Sequence, residues 1–326
     1  MHCVLSPSLN GISSVSRLQL ATVADYDTKA LQRLANQNHV YDRMDWWPLD
    51  EWRHSNAFIG LTLRSNNPQR RLFASAPKPN ELSAALLALP IDYRNPQQLE
   101  SATSAVAWIR WCAVMNTLSP TTAVTLLLQE LVKRLQATCV KSIWCIGEKR
   151  NWMGTCVQEN GFTQVDELIT LRYAALTVRI PPLPRHARIR VLRSEMLTED
   201  IIKAIQHIDN AAFAPQWYYS PHMLREAFGQ SYYVTIMERA GVVLGYQCAT
   251  LYDGDAHIVR LAVAPAEQGR GVGSALLADC VRELRLHGAR EITLNTPGTN
   301  TVSQQLYQRM GFATVRQPLA AFQYQL

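Results

Sequence analysis

Along the second half of the chain, apolar positions change their period at regular intervals. Apolar runs at 189–192, 232–237, 242–250 and 256–263 predict strands, and apolar residues at helical spacing over 199–213 and 273–287 predict amphipathic helices. Arg239-Ala240-Gly241 between two of the strand runs reads as a hairpin turn, and Gly288 closes the longer helix. A further strand at 291–295, a helix at 301–310 ending on Gly311, and strands near 314–315 and 321–325 complete the pattern. The first half also alternates strands with helices, so the fold class is α/β, each half a mixed sheet flanked by helices.

The halves meet at Ile180-Pro181-Pro182-Leu183-Pro184, where three prolines remove backbone donors and favour an extended linker. Sliding the sequence on itself by about 149 residues brings the halves into register. Ala107-Trp108-Ile109 then meets Ala256-His257-Ile258, and Ala113-Val114 meets Ala262-Val263. Leu127-Leu128, Val132, Leu135 and Ile143 face Leu276-Leu277, Val281, Leu284 and Ile292, and one added residue sets Gly161-Phe162 on Gly311-Phe312. The expected organisation is a duplicated domain: residues 16–175, a linker at 176–187, and residues 188–326.

Composition narrows the function classes. At 326 residues, 48% apolar and 18% charged, the chain has enough apolar mass for two cores without disulfides. Its seven cysteines are odd in number and form no C-x-x-C pair, which fits a reducing compartment and predicts no metal centre. No run approaches the roughly 18 apolar residues of a bilayer span, and residues 1–16 lack a signal-peptide pattern. A cytoplasmic protein with no membrane partner is expected. The net charge of +6 is shared evenly by the halves with no basic stripe, which argues against a nucleic-acid partner.

The most informative segment joins the 256–263 strand to the 273–287 helix through Gln268-Gly269-Arg270-Gly271-Val272-Gly273-Ser274. Alternate glycines let backbone amides turn toward a ligand, and the helix start leaves N–H groups and a positive dipole end for a pyrophosphate. The spacing is neither that of a P-loop nor G-x-G-x-x-G, and a tight connection without a ligand would use glycine as well. A second constellation follows: Asn300, then Leu306-Tyr307, then Gly311-Phe312, with Ser303 in a small-residue position. Together the two resemble the GNAT superfamily of acetyl-CoA-dependent N-acetyltransferases, whose hallmarks are a Q/R-x-x-G-x-G/A loop and an N-x-x-A-x-x-L-Y-x-x-x-G-F segment. The resemblance covers roughly residues 189–326.

What the resemblance implies is specific. The central sheet would be mostly antiparallel. Leu261, Ala262 and Val263 would pair with the pantetheine arm of acetyl-CoA, the loop from Gln268 to Ser274 would hold its pyrophosphate, and Asn300 would contact the arm. Tyr307 would offer its hydroxyl to the thioester sulfur; a phenol with a pKa of about 10 is a donor at neutral pH. An attacking amine must also lose a proton. His257 stands where the histone-acetylating branch carries a glutamate base, although a histidine hydrogen-bonded at a strand start explains it as well. Asp253 and Asp255 are other candidates, in a sequence that also suits a turn. The acceptor pocket would lie beside Phe213-Ala214-Pro215-Gln216-Trp217-Tyr218-Tyr219, aromatic and poor in charge, where Trp217 and Tyr218 could touch an apolar or planar acceptor or pack between helices.

At the matching positions the first half has Ser119-Pro120-Thr121-Thr122-Ala123-Val124 for the glycine loop, Val157 for Tyr307, Arg150 for Asn300 and Trp108 for His257. It is expected to be a degenerate GNAT-like domain, in a tandem arrangement similar to mycothiol synthase-type acetyltransferases. Asp45-Trp46-Trp47-Pro48 could form a binding lip or pack in its core. The expected function is transfer of an acetyl group to a primary amine of a small molecule or peptide by direct attack in a ternary complex, by a monomer or homodimer. A non-catalytic acyl-CoA sensor is the competing reading; it needs the loop but not Tyr307.

Overall fold

Ten-residue apolar runs such as Ala105–Val114, in which every position is buried, demand a sheet covered on both faces. In the computed structural model, residues 18–22, 28–35, 59–65, 82–91, 105–148, 151–178, 180–315 and 318–326 are described; Asp45-Trp46-Trp47-Pro48 and Arg150, singled out above, lie outside them. The first half contributes β1 (Leu18–Thr22), α1 (Thr28–Ala35), β2 (Ile59–Ser65), β3 (Leu82–Ile91), β4 (Ala105–Val114), α2 (Pro120–Gln136), β5 (Val140–Gly147), α3 (Trp152–Glu159) and β6 (Thr163–Tyr173). The second contributes β7 (Arg188–Val191), α4 (Glu199–Ala212), α5 (Pro221–Gln230), β8 (Tyr233–Arg239), β9 (Val242–Tyr252), β10 (Asp255–Val263), α6 (Val272–Leu286), β11 (Glu291–Pro297), α7 (Thr301–Arg309), β12 (Phe312–Thr314) and β13 (Leu319–Gln325). Each predicted element of the second half forms within two residues of its expected ends. Helix α5, which the apolar pattern did not single out, starts on Ser220, whose side chain accepts the Met223 N–H, with Pro221 in the first turn.

The two halves repeat one pairing pattern. Strands β1 to β4 pair antiparallel in order and β4 runs parallel to β5; β7 to β10 pair antiparallel in order and β10 runs parallel to β11. This is the mixed, mostly antiparallel α/β sheet expected. The register slips at matching places. Leu87 faces Trp111 while Ala88 faces Ile109, leaving Arg110 as the extra residue of β4. Ala249 faces Ile258 while Cys248 faces Arg260, leaving Val259 as the extra residue of β10. A bulge bends the strand and moves the following side chains to the other face, so its recurrence ties the halves together beyond shared apolar character.

Two compact units result, and they do not coincide with the linear halves 16–175 and 188–326. Residues 166–320 belong chiefly to one unit, whereas 99–165 and 321–326 belong to the other. In the second unit, β6 supplies Leu168–Arg172 to β11 and Leu171–Tyr173 to β12. Tyr173 stacks edge-on to Phe312 with ring centroids 5.2 Å apart and donates its hydroxyl to the Thr177 carbonyl at 2.8 Å, which holds the segment before the proline linker in that core. In the first unit, the last residues of the chain bond to β5, Leu326 N–H donating to the Lys141 carbonyl at 3.0 Å.

The cores use the faces predicted from periodicity. Leu277, Cys280, Val281 and Leu284 of α6 pack with Ala256, Ile258, Ile292, Leu294, Tyr307 and Phe312 in the second unit. Leu31 and Leu34 of α1 pack with Leu87, Trp111 and Ala113 in the first. Fully burying one such large apolar side chain contributes about 1.5–3 kcal/mol. Among the described residues no helix is long and apolar enough to cross a membrane.

Candidate active site

Strand β10 holds the key to the site because its two neighbours let go at different points. Its parallel pairing with β11 runs from Asp255 opposite Glu291 to Ile258 opposite Leu294 and stops there. Beyond that point β11 stays with β6 through Pro297, while β10 continues along β9 until Val263 faces Gly245. The strands diverge, and the backbone of Leu261, Ala262 and Val263 is paired on one side only. Open N–H and C=O groups on a strand edge accept an added extended chain.

The connection from β10 to α6 is a built loop. Ala264 N–H donates to the Leu244 carbonyl at 2.9 Å and Pro265–Glu267 forms a single tight turn. The Arg239 guanidinium donates two hydrogen bonds of 3.2 Å to the Glu267 carboxylate, and Gln268 Nε2 donates to the Val263 carbonyl at 3.1 Å. Gly269 and Gly271 then adopt φ of +74° and +87°, the left-handed region. A Cβ at either would meet nothing within 4 Å, so it is this backbone conformation, not space, that calls for glycine. Gly271 caps α6 without a side chain. The first-turn N–H groups therefore keep their donors and the positive end of the helix dipole for an anion.

These parts line one cavity of about 460 Å³, together with one face of α7 from Asn300 to Arg309 and with Ala212 and Phe213 at the end of α4. Of the residues expected at the site, Leu261, Ala262, Val263, Gln268, Gly269, Gly271, Gly273, Ser274, Asn300 and Tyr307 all line it. Asn300 caps α7, its Oδ1 accepting the Ser303 N–H at 3.1 Å. Tyr307 is buried, which pushes its pKa up to about 12; a hydrogen bond from Ser303 and the charge of Arg260 pull the other way. Its hydroxyl thus keeps its proton throughout the physiological range.

Three expected residues sit elsewhere. Val272 is buried in the core beneath the loop. Arg270 has a side chain 64% exposed, 3.7 Å from Glu267. His257 packs beside β11, Nδ1 lying 2.9 Å from Thr293 Oγ1. Because the Thr293 hydroxyl donates to the Ala256 carbonyl at 3.2 Å, Nδ1 carries the proton and Nε2 the lone pair. Burial lowers the His257 pKa to about 4, leaving the ring neutral at pH 7. Asp253 and Asp255 flank the β9–β10 hairpin turn, where Asp253 takes a φ of +46° and is 86% exposed; neither lines the cavity.

Sequence reasoning missed a buried ionic cluster beside the cavity. Arg260 Nε and Nη2 each donate at 2.8 Å to the Asp209 carboxylate, one bond to each oxygen, in a fork-to-carboxylate geometry. Asp209, fully buried, also accepts from the Tyr246 hydroxyl and from the Tyr219 N–H at 3.0 Å. Arg260 donates further to the Trp217 carbonyl, and its guanidinium lies 3.7 Å from the Phe213 ring centroid and 3.9 Å from that of Tyr219. The signal was present: an arginine inside the apolar run His257-Ile258-Val259-Arg260-Leu261 and an aspartate on the apolar face of α4. Trp217 and Tyr218 are half-buried around this cluster and lie outside the cavity lining.

The family described as acetyltransferase (GNAT) family matches residues 202–312. A [ribosomal protein bS18]-alanine N-acetyltransferase from Haemophilus ducreyi is 29% identical over 119 residues, spanning 36% of this chain and 80% of its own. Among solved structures, a tandem GNAT protein from the clavulanic acid biosynthesis pathway covers 94% of this chain and 98% of its own, with a TM-score of 0.63 at 11% identity. A GCN5-related N-acetyltransferase from Sphaerobacter thermophilus covers 95% and 96%, with a TM-score of 0.58 at 12% identity.

Proposed function

We propose, from the match of residues 202–312 to the acetyltransferase (GNAT) family, that the chain moves an acetyl group from acetyl-CoA to a primary amine by direct attack in a ternary complex. The observation that carries the reading is the convergence of three features on one cavity: the open backbone edge at 261–263, the uncapped start of α6, and a tyrosine that stays protonated. The donor set fits the cosubstrate. An amide-bearing arm suits the strand edge, a pyrophosphate suits the open amides at the start of α6, and Asn300 belongs to the same lining. Acetyl-CoA, when bound, supplies an acetyl group activated as a thioester.

The chain's own groups then have distinct tasks. Tyr307 holds a proton on its hydroxyl at the cavity wall, available to a departing sulfur. A primary ammonium with a pKa of about 10 must be deprotonated before it attacks, and His257, neutral at pH 7 and set back from the cavity lining, is the base this reading assigns, acting through water. The aromatic segment beginning at Phe213 suits an amine with an apolar or planar neighbour, and a peptide amino terminus, the acceptor class of the bS18-alanine relatives, is the first to screen.

Calorimetric titration with acetyl-CoA tests the reading. One site per chain is expected, and Gly271→Val, which forces a β-branched residue into a left-handed conformation, is expected to weaken binding at least about tenfold. Two sites would overturn the assignment of the first unit as empty. No binding would overturn the acetyltransferase reading.

A further inference from the structure

The Asp209–Arg260 cluster has no task in the chemistry above, yet it joins the strand that carries the site to the segment between α4 and α5. We propose that Arg260 is a positioning residue that clamps the segment 213–219 to β10 and thereby fixes the wall against which the acceptor amine docks. The inference rests on the acetyltransferase reading and names its acceptor subsite.

The cavity lining supplies the first argument. Strand β10, the glycine loop and α7 provide every lining residue except Ala212 and Phe213. The first three are the parts suited to the cosubstrate, so the wall at the end of α4 is the one left for the amine. Phe213 is also the residue whose ring lies against the Arg260 guanidinium. The clamp grips both ends of the segment. Phe213 stacks at one end and Tyr219 at the other, Trp217 gives its carbonyl to Arg260, and Tyr219 gives its N–H to Asp209. A single planar cation with five donors makes both ring contacts, the bond to the Trp217 carbonyl and the fork to Asp209, which a lysine ammonium cannot match.

The second argument is energetic. Burying an ion pair is costly, and replacing one by apolar residues is often neutral or stabilising, so such a pair is poor evidence of a stability role. Here the carboxylate accepts from Arg260 twice, from Tyr246 and from Tyr219, and two of those partners, with the stacked rings, specify one conformation of the segment. The chemistry on the wall, aromatic rings around a neutralised charge, selects an uncharged flank beside the amine rather than an acidic one.

Two variants test the clamp while keeping a positive charge near Tyr307. Arg260→Lys keeps the cation but loses the fork; Tyr219→Leu leaves Arg260 and Asp209 intact and removes one stacked face. In the free protein, hydrogen exchange at amides 214 and 216–219 is expected to rise about tenfold in Arg260→Lys, where charge-assisted hydrogen bonds are lost, and about threefold in Tyr219→Leu, where only the ring contact is lost. With a peptide bearing a free amino-terminal alanine as acceptor, its KM is expected to rise about tenfold, with kcat and acetyl-CoA affinity within about twofold. Unchanged exchange overturns the clamp, and acetyl-CoA affinity falling in step with acceptor KM overturns the acceptor assignment in favour of a merely structural role. Absence of acetyl transfer by the unmodified protein overturns the acetyltransferase reading instead, and the exchange measurement then still decides the clamp.

Discussion

The two units share a frame and differ in what the frame holds. Both have the antiparallel run ending in one parallel pair, both bulge the fourth strand, and in both that strand parts from its parallel neighbour early, at Trp108 opposite Trp144 and at Ile258 opposite Leu294. Even the cap of the last helix persists: Asn151 Oδ1 accepts the Gly154 N–H at 2.8 Å in the first unit as Asn300 accepts Ser303 in the second. The groups proposed for the site differ between the units one by one. Helix α2 begins with Ser119, whose hydroxyl accepts the Thr122 N–H, and Pro120, which has no N–H, so its donors are consumed or absent where α6 keeps them free. The registered pair His257–Thr293 becomes Trp108–Trp144, and Arg260 becomes Trp111, packed among Leu31, Leu34 and Leu87. The splayed strand is a backbone property that both units share; the glycines and side chains proposed for the site occur in the second.

That contrast predicts its largest effect at the matched pair Arg260 and Trp111. Arg260→Met strands Asp209 in the core without its cation and is expected to cost about 3–5 kcal/mol. Trp111→Phe keeps an apolar ring and is expected to cost about 1–2 kcal/mol. Urea unfolding measures both. A larger cost at Trp111 would mean that the ionic cluster is not the more demanding solution to filling this position.

The next effect is confined to one unit and separates a transferase from a sensor. Tyr307→Phe is expected to lower the acetyl-transfer rate at least about a hundredfold, near 3 kcal/mol in barrier, with acetyl-CoA affinity within about twofold. Val157→Tyr in the first unit restores the hydroxyl on a frame without the loop and is expected to add no turnover to the Tyr307→Phe protein. An undiminished rate in Tyr307→Phe removes its role as proton donor, and rescue by Val157→Tyr would erase the distinction between the units.

How much of this was legible follows from how local each feature is. Strands, helices, the duplication and the glycine loop are written in short-range periodicity and in residues with special backbone freedom, so they could be read directly. Arg260 and Asp209 lie 51 residues apart and meet only in the folded chain. Their presence within apolar runs signalled a buried charge without naming its partner. The assignment of 166–173 to the second unit and 321–326 to the first depends on pairing between distant segments, which periodicity cannot specify. A one-residue gap set before α3 aligns Arg150 with Asn300; the capping geometry instead gives that role to Asn151, with α3 the shorter helix by one residue.

The smallest effect tests the pair His257 and Trp108 through pH. The folded-state pKa of His257, about 4, lies below the ordinary value of about 6.5, so the unfolded chain binds the extra proton first. Stability from this group is present above pH 6.5 and is lost as pH falls toward 4. Between pH 6.5 and 5.5 the loss amounts to at most about 1 kcal/mol, or about 2–4 °C in the melting temperature of a unit of this size. His257→Gln cannot titrate and is expected to lack that part of the slope, whereas Trp108→Phe, at the position where nothing titrates, is expected to keep it. The other histidines contribute equally to all three proteins and cancel in the differences. If His257→Gln melts with the unaltered slope, the ring is not held neutral by burial. The assignment of His257 as a base already free of its proton at pH 7 would then fail with it.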